Sequence, residues 1–333
     1  MPSAPHIVCL GEALVDFLPH QQGVPIEQVE QWTRALGGAP ANVAVGLSRL
    51  GQRVAFVGTT GADPFGDFVR SELQREGVDV SRLRQTGAGL TGLSFVATQS
   101  QGEPQFHFYR TRAADLLLDE RDVDLQVLER ARVLYVGANA LQLTTAQEVL
   151  MRYLEAAAAR DMAIVFDPNF RRAALSEPTT PEQVSRSIVK RSTVVKVSLP
   201  ELAVLSGESD LQRGLMALHE QGVVLPIVTL GAAGAAFLWD GRVVRVSAPP
   251  AQVIDATGAG DGFVAGLIFG LTRLFSDAPA MKFAGVGEIR EVVAFACTVG
   301  SRVTRYLGAT AGLPTLDDVS ATLPRILAEQ GLR

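Results

Sequence analysis

Only two cysteines, Cys9 and Cys297, occur in the 333 residues, and both sit in apolar surroundings. A disulfide framework is excluded; two buried free thiols are expected, as in a chain kept in a reducing cytoplasm. Lysine is almost as scarce. Lys190, Lys196 and Lys282 are the whole set, and none follows a G-x-x-x-x-G loop, so the chain has no P-loop. The histidines His6, His20, His107 and His219 are scattered, which gives a histidine-rich metal centre no support. No run approaches the roughly 18 apolar residues of a membrane helix, and the N-terminus has neither the charged start nor the apolar core of a secretion signal. Positive charge is not in excess either. A net charge of −5 and the lack of basic runs with interleaved aromatics argue against a nucleic-acid partner. A dinucleotide fingerprint starting at Gly258 fails at Phe263, and the H-R-D, D-F-G and G-x-S-x-G signatures are missing. A small-molecule substrate and a cytoplasmic location are the expectations left standing.

What is present is an ordinary globular composition, 47% hydrophobic and 20% charged, in a length that one large α/β domain can occupy. Apolar runs at 6–11, 53–58, 132–137, 163–167, 193–197 and 225–230 read as buried strands. From residue 132 onward helical segments separate them in regular alternation, which predicts a mostly parallel sheet with helices on both faces. Two stretches break the alternation. Residues 13–36 read as a short β excursion, and 92–98 with 104–111 as a hairpin turning at Gln101-Gly102. Residues of roughly 13–36 and 90–112 are therefore expected to form a small β lid inserted in one domain spanning 1–333. Long helices are expected over 261–275 and 286–306.

The most informative stretch is Val253-Ile254-Asp255-Ala256-Thr257-Gly258-Ala259-Gly260-Asp261-Gly262-Phe263. An apolar segment enters a turn of small residues, and a helix begins near Asp261. Gly258, Ala259 and Gly260 leave backbone N–H groups open to an anion at the positive end of that helix. Asp261 places a carboxylate beside this anion hole. Holding a phosphate while accepting a hydroxyl proton is the requirement of phosphoryl transfer to an alcohol. A second glycine turn, Gly37-Gly38-Ala39-Pro40-Ala41-Asn42, precedes a helix with Pro40 in its first turn. On spacing alone Asn42 is as well read as a helix-start residue as a ligand contact.

Gly37 to Ala44 and Asp255 to Asp261 resemble the two signatures of the ribokinase-like (PfkB-type) carbohydrate kinases, in the order and separation found there. The resemblance runs from Leu10-Gly11-Glu12 to Gly312-Leu313-Pro314-Thr315. Within that family, Gly11 to Phe17 and Phe108-Tyr109-Arg110 through Ala114-Asp115-Leu116-Leu117-Leu118 are most similar to fructokinases. The resemblance implies a three-layer α/β/α fold and an ATP-dependent sugar kinase. It implies that Asp16, Gly37, Gly38 and Asn42 bind sugar hydroxyls, that Phe108 and Arg110 close over the sugar, and that Arg171 reaches the sugar or the transferred phosphate. Thr229, Gly231 and Gly234 would line the nucleotide phosphates, Gly258 to Gly260 the anion hole, and Asp261 would be the base. Mg²⁺ would ride mainly on ATP, Asp255 with the 304–309 loop resembles a monovalent-cation (K⁺) site, and lid strands would pair two subunits into a homodimer.

Three alternatives stand beside the fructose reading, one of them simply another ribokinase-like sugar kinase. Asp167-Pro168-Asn169-Phe170-Arg171 is shared with 2-keto-3-deoxygluconate kinases, and a sugar-binding regulator without catalysis is the non-enzyme alternative. Ser198-Leu199-Pro200-Glu201 stands where the family has N-x-x-E at the Mg²⁺ and phosphate; it reads equally as a helix capping box. Ala256 also departs from the family's usual threonine.

Overall fold

A computed structural model describes residues 6–21, 23–98, 104–140, 143–170 and 181–324. The strands are β1 Ile7–Leu10, β2 Leu14–Pro19, β3 Trp32–Gly37, β4 Val54–Gly61, β5 Asp79–Thr86, β6 Leu93–Thr98, β7 Pro104–Tyr109, β8 Val133–Gly137, β9 Ala163–Asp167, β10 Val194–Ser198, β11 Leu225–Thr229, β12 Ala235–Trp239 and β13 Arg242–Val246. The helices are α1 Ala39–Arg49, α2 Pro64–Arg75, α3 Thr144–Ala158, α4 Pro181–Val189, α5 Leu199–Ser206, α6 Leu211–Glu220, α7 Ala259–Leu274, α8 Ala278–Met281, α9 Val286–Val303 and α10 Leu316–Val319. Nine strands form one sheet in the order β13-β12-β11-β10-β9-β8-β1-β4-β5, in which β12 alone runs against the rest, pairing antiparallel with β11 and β13. The expected strands and closing helices are all there, within a few residues of their expected bounds.

The three layers follow from the two-residue period of a strand. Ile7 and Cys9 point into a core shared with Val43 of α1, Leu267 of α7 and Val292 of α9. Val8 and Leu10, one residue out of phase, join Leu150 and Leu154 of α3 with Leu202 of α5 and Leu215 of α6. Cys9 and Cys297 are both buried free thiols.

The two irregular stretches come together as a second sheet, β3-β2-β6-β7. β6 and β7 pair antiparallel, whereas β2 and β6 run parallel, a pairing that the hairpin signal alone did not contain. The tip, 99–103, lies outside the described residues. Register puts Asp16, Ser94 and Phe108 in one row across this sheet and Phe17, Phe95 and His107 in the next, on the opposite face.

α7 and α9 pack unusually close because α7 carries glycine every fourth residue. A Cβ on Gly266 would lie 3.0 Å from the Ala296 Cα, and one on Gly262 or Gly270 would run into Val303 or Val292. Alanine normally gains about 1 kcal/mol over glycine inside a helix, but overpacking a rigid contact costs about 1–3 kcal/mol. Gly266→Ala is therefore expected to lower stability by about 1–2 kcal/mol. Gly287→Ala, where a Cβ meets nothing within 4 Å, should be neutral or raise it by up to about 1 kcal/mol. Unfolding midpoints of the two variants check the sign of each.

Candidate active site

The carboxyl ends of β1, β8 and β9 lie side by side, so the residues just beyond them, Glu12, Asn139 and Asn169, converge. With Asp16, Gly38, Asn42, Phe106, Phe108, Arg110, Thr257, Gly258 and Asp261 they line a narrow cavity of about 40 Å³. A wider cavity of about 610 Å³ opens beyond it, lined by Thr229, Gly231, Gly234, Pro249, Val253, Ala256, Ala259, Gly260, Phe263 and Gly300 among others. The turn 256–261 is the wall between them. Thr257, Gly258 and Asp261 face the small polar cavity; Ala256, Ala259 and Gly260 face the large, mostly apolar one.

Gly258 takes the left-handed conformation (φ 78°), and a Cβ there would sit 2.5 Å from the Ala309 Cα, so both conformation and space demand glycine. α7 begins at Ala259, two residues before the expected start. Ala259 gives its N–H to the Ala256 carbonyl at 3.2 Å, which removes it from the expected set of anion donors. Gly258 and Gly260 remain. The Asp255 carboxylate accepts N–H bonds from Thr257 at 2.9 Å and Gly308 at 2.8 Å. It thereby ties the turn to the glycine-rich loop that follows α9.

Asp261 is buried and lines the small cavity. Asn42 donates from Nδ2 to Asp261 Oδ2 at 2.8 Å, so its amide nitrogen orients the carboxylate rather than meeting a ligand. Its Oδ1 is buried without a protein partner, as are Glu12 Oε2 and Thr257 Oγ1. All three belong to the lining of one cavity. Asp16 and Gly38 line it as expected; Gly37 does not, but a Cβ at Gly37 would fall 2.5 Å from the Asp16 carboxylate. Glycine there makes room for Asp16.

Other expectations need correcting. Arg110 does line the cavity beside Phe108, yet it is buried and its guanidinium is held by Asp115, with Nε to Oδ2 at 2.8 Å. It is a wall, not an open clamp. Ser198 and Glu201 line neither cavity. Glu201 accepts from the Ser198 N–H and hydroxyl, each at 2.7 Å, and from the Phe170 N–H at 2.8 Å. The capping reading prevails because both carboxylate oxygens are already bonded inside the protein. Arg171 lies outside the described residues. No group of three or more His, Cys, Asp or Glu side chains among the described residues could hold a metal ion.

Phe106 and Asn139 of the cavity lining carried no expectation, and two charged groups, Glu12 in the lining and Lys196 beside the turn, were also missed. Burial pushes the Glu12 carboxyl up to about 7, against the pull of Arg110. Lys196, read from sequence only as lacking a P-loop, forms a buried ion pair with Asp167 at 2.9 Å. Burial opposes its charge, but Asp167, Glu201 and Asp261 outweigh it and raise its pKa, so the ammonium stays protonated. A Cβ on Gly260 would come within 3.1 Å of its Nζ, which places a fixed positive charge against the start of α7. An apolar strand with one interior lysine and a preceding strand ending in aspartate was the available signal.

The pfkB family carbohydrate kinase model matches residues 4–316. Fructokinase-2 of Solanum habrochaites is 33% identical over 318 residues, 95% of each chain. Among solved structures, the ATP-bound fructokinase of Xylella fastidiosa superposes with a TM-score of 0.86 at 30% identity, over 97% of this chain and 98% of that one. A double mutant of the Vibrio cholerae O395 fructokinase with fructose, ADP and potassium ion gives 0.83 at 31%, over 96% and 99%.

The Lys196–Asp167 pair lends itself to a cycle. Lys196→Met strands a buried carboxylate and should cost about 3–5 kcal/mol, and adding Asp167→Asn should recover most of that. Denaturant unfolding of the wild type, both single variants and the double variant measures the coupling. A double variant no more stable than Lys196→Met would mean the two charges do not hold each other.

Proposed function

The chain belongs to the pfkB family of carbohydrate kinases and is an ATP-dependent sugar phosphotransferase; within that class we propose that it is a fructokinase, transferring the γ-phosphate of ATP to the 6-hydroxyl of D-fructose. The observation that carries the reading is the shared wall. A small polar cavity and a large apolar one meet at Gly258–Asp261, a division that suits a sugar in the first and a nucleotide in the second. Three unpartnered buried atoms, on Glu12, Asn42 and Thr257, suit a ligand rich in hydroxyls, which can satisfy donors and acceptors together.

Asp261 accepts the proton of the attacking hydroxyl while Asn42 holds its other rotamers out of reach. As the phosphoryl group passes across the wall, its charge meets the N–H groups of Gly258 and Gly260, the positive end of α7 and the Lys196 ammonium. Mg²⁺ would be carried by the nucleotide phosphates and water, since the acids nearest the turn are bonded within the protein. K⁺ would lie beside Asp255 and the 304–309 loop. Arg171, from its place after β9 and Asn169, would reach the sugar or the moving phosphate.

The reading extends to assembly and location. Phe95 of the lid stacks on Phe17 and meets Trp32 and Tyr109 edge-on, on the face turned away from the cavity, and Tyr109 is 68% exposed. Such a patch supports a homodimer through the lid, and sedimentation at the mass of one chain would refute it. Two buried thiols suit a cytoplasmic location, and no helix among the described residues is long and apolar enough to cross a membrane.

Asp261→Asn should lower kcat by about 10²–10⁴-fold while fructose binding by calorimetry stays near wild type. Near-normal turnover would remove Asp261 from the role of base. An ADP-release assay across sugars decides the substrate: preference for 2-keto-3-deoxygluconate defeats the fructose assignment, and no ADP from any sugar favours a binding protein instead.

A further inference from the structure

Of the fructokinase-like stretch that ends β7, Phe108 and Arg110 line the cavity, but Asp115 does not, and the transfer mechanism makes no use of it. Asp115 sits in the short turn Ala114–Leu116 and has no exposed surface. Its position is built in. Ala114 donates to the Leu90 carbonyl at 2.8 Å and Ala113 to the Arg110 carbonyl at 3.1 Å, which folds the chain back on Arg110. Gly92 leaves the slot: a Cβ there would lie 2.8 Å from Asp115 Oδ1 and 3.0 Å from Arg110 Cγ. Within that slot Asp115 Oδ2 takes both Nε and Nη2 of Arg110, and Nη2 also reaches the Asn139 carbonyl at 3.2 Å.

Arg110 is the only cation in the lining of the small cavity among the described residues. A guanidinium fork is the side chain best shaped to bind a carboxylate through two parallel hydrogen bonds. Here the Nε–Nη2 edge of that fork is spent on a carboxylate of the protein's own, and a second buried carboxyl, Glu12, acts on the same charge. A sugar acid entering this cavity would meet a neutralised arginine in the company of Glu12, Asp16 and Asp261. A neutral sugar needs only hydroxyl partners.

We propose that Asp115 is a specificity-determining residue: by holding Arg110 in a buried pair it reserves the cavity for neutral sugars, and without it the same guanidinium becomes a receptor for sugar carboxylates. The proposal rests on the fructokinase reading. Asp115 acts through Arg110 and touches no substrate, so it is a positioning residue.

The test compares the wild type, Asp115→Asn, Asp115→Glu and Asp115→Asn combined with Arg110→Met, each with ATP and either fructose or 2-keto-3-deoxygluconate. In Asp115→Asn the ratio of kcat/KM for the sugar acid to that for fructose should rise about tenfold or more, mainly through a lower KM for the acid. Asp115→Glu keeps the charge and should keep the wild-type ratio. The double variant should lose the gain. Because an unpaired buried arginine weakens the fold, thermal shift is read alongside turnover. The sugar acid should stabilise Asp115→Asn more than fructose does, with the reverse order in the wild type. An unchanged ratio and unchanged order of stabilisation in Asp115→Asn overturn the role of Asp115 while leaving the fructose assignment intact, as does a gain that survives in the double variant. A wild type that prefers the sugar acid overturns both.

Discussion

The first turn of α7 separates the two cavities, and contacts from three distant parts of the chain hold it in place. Asp255 binds the backbone of Thr257 and Gly308, Asn42 reaches across from α1 to Asp261, and Lys196 lies beneath Gly260 from β10. Glycine at 258, 262 and 270 lets the helix settle against the Ala309 loop and α9 at distances that would not admit a Cβ, and at 266 a Cβ would be tight. Catalytic geometry here is a packing result. In the proposed reaction a base and an anion hole one residue apart would need no flexible arm to bring them together, because their common helix keeps their spacing constant.

Charge at the site is arranged by the same logic. Buried acids surround the small cavity, and each is managed differently. Asp255 is satisfied by backbone N–H groups, Asp167 by Lys196, Asp115 by Arg110, and Asp261 takes a bond from Asn42. Glu12 and Asp115 each keep one oxygen without a protein partner, but only the one on Glu12 belongs to a residue that lines the cavity, and burial lifts the Glu12 carboxyl to about 7. A buried acid left in that condition is costly to a fold unless a ligand satisfies it, which suits a ligand that can donate a hydrogen bond to it.

Much of this was legible in the amino-acid order because the relevant signals are local. Apolar runs closed by glycine marked the strands, and the small residues at 258–260 before an apolar helix marked the anion turn. The capping box at Ser198–Glu201 could be read either way, since three-residue spacing serves a helix start and a ligand set alike. The structure decided it by supplying Phe170 N–H as the second partner of Glu201. The roles of Lys196 and Glu12 were not assigned for a related reason. A single charged residue in an apolar setting stands out, but does not say what faces it from another strand.

By itself, then, the sequence determined the layered α/β architecture, the strands of the second sheet, the glycine turns and the place of a carboxylate at the start of the last-quarter helix. These depend on periodicity and on backbone conformations that only certain residues adopt. Tertiary structure decided the rest: that Asn42 serves Asp261, that Ala259 is no anion donor, that Arg110 is closed off by Asp115, and that one turn stands between two cavities. Each of those is a pairing between residues whose separation in the chain, from 3 to 219 positions, says nothing of which atom will be satisfied first. Hydrogen bonds and ion pairs are allotted only when the chain has packed, because burial is what makes leaving any one of them unmade expensive.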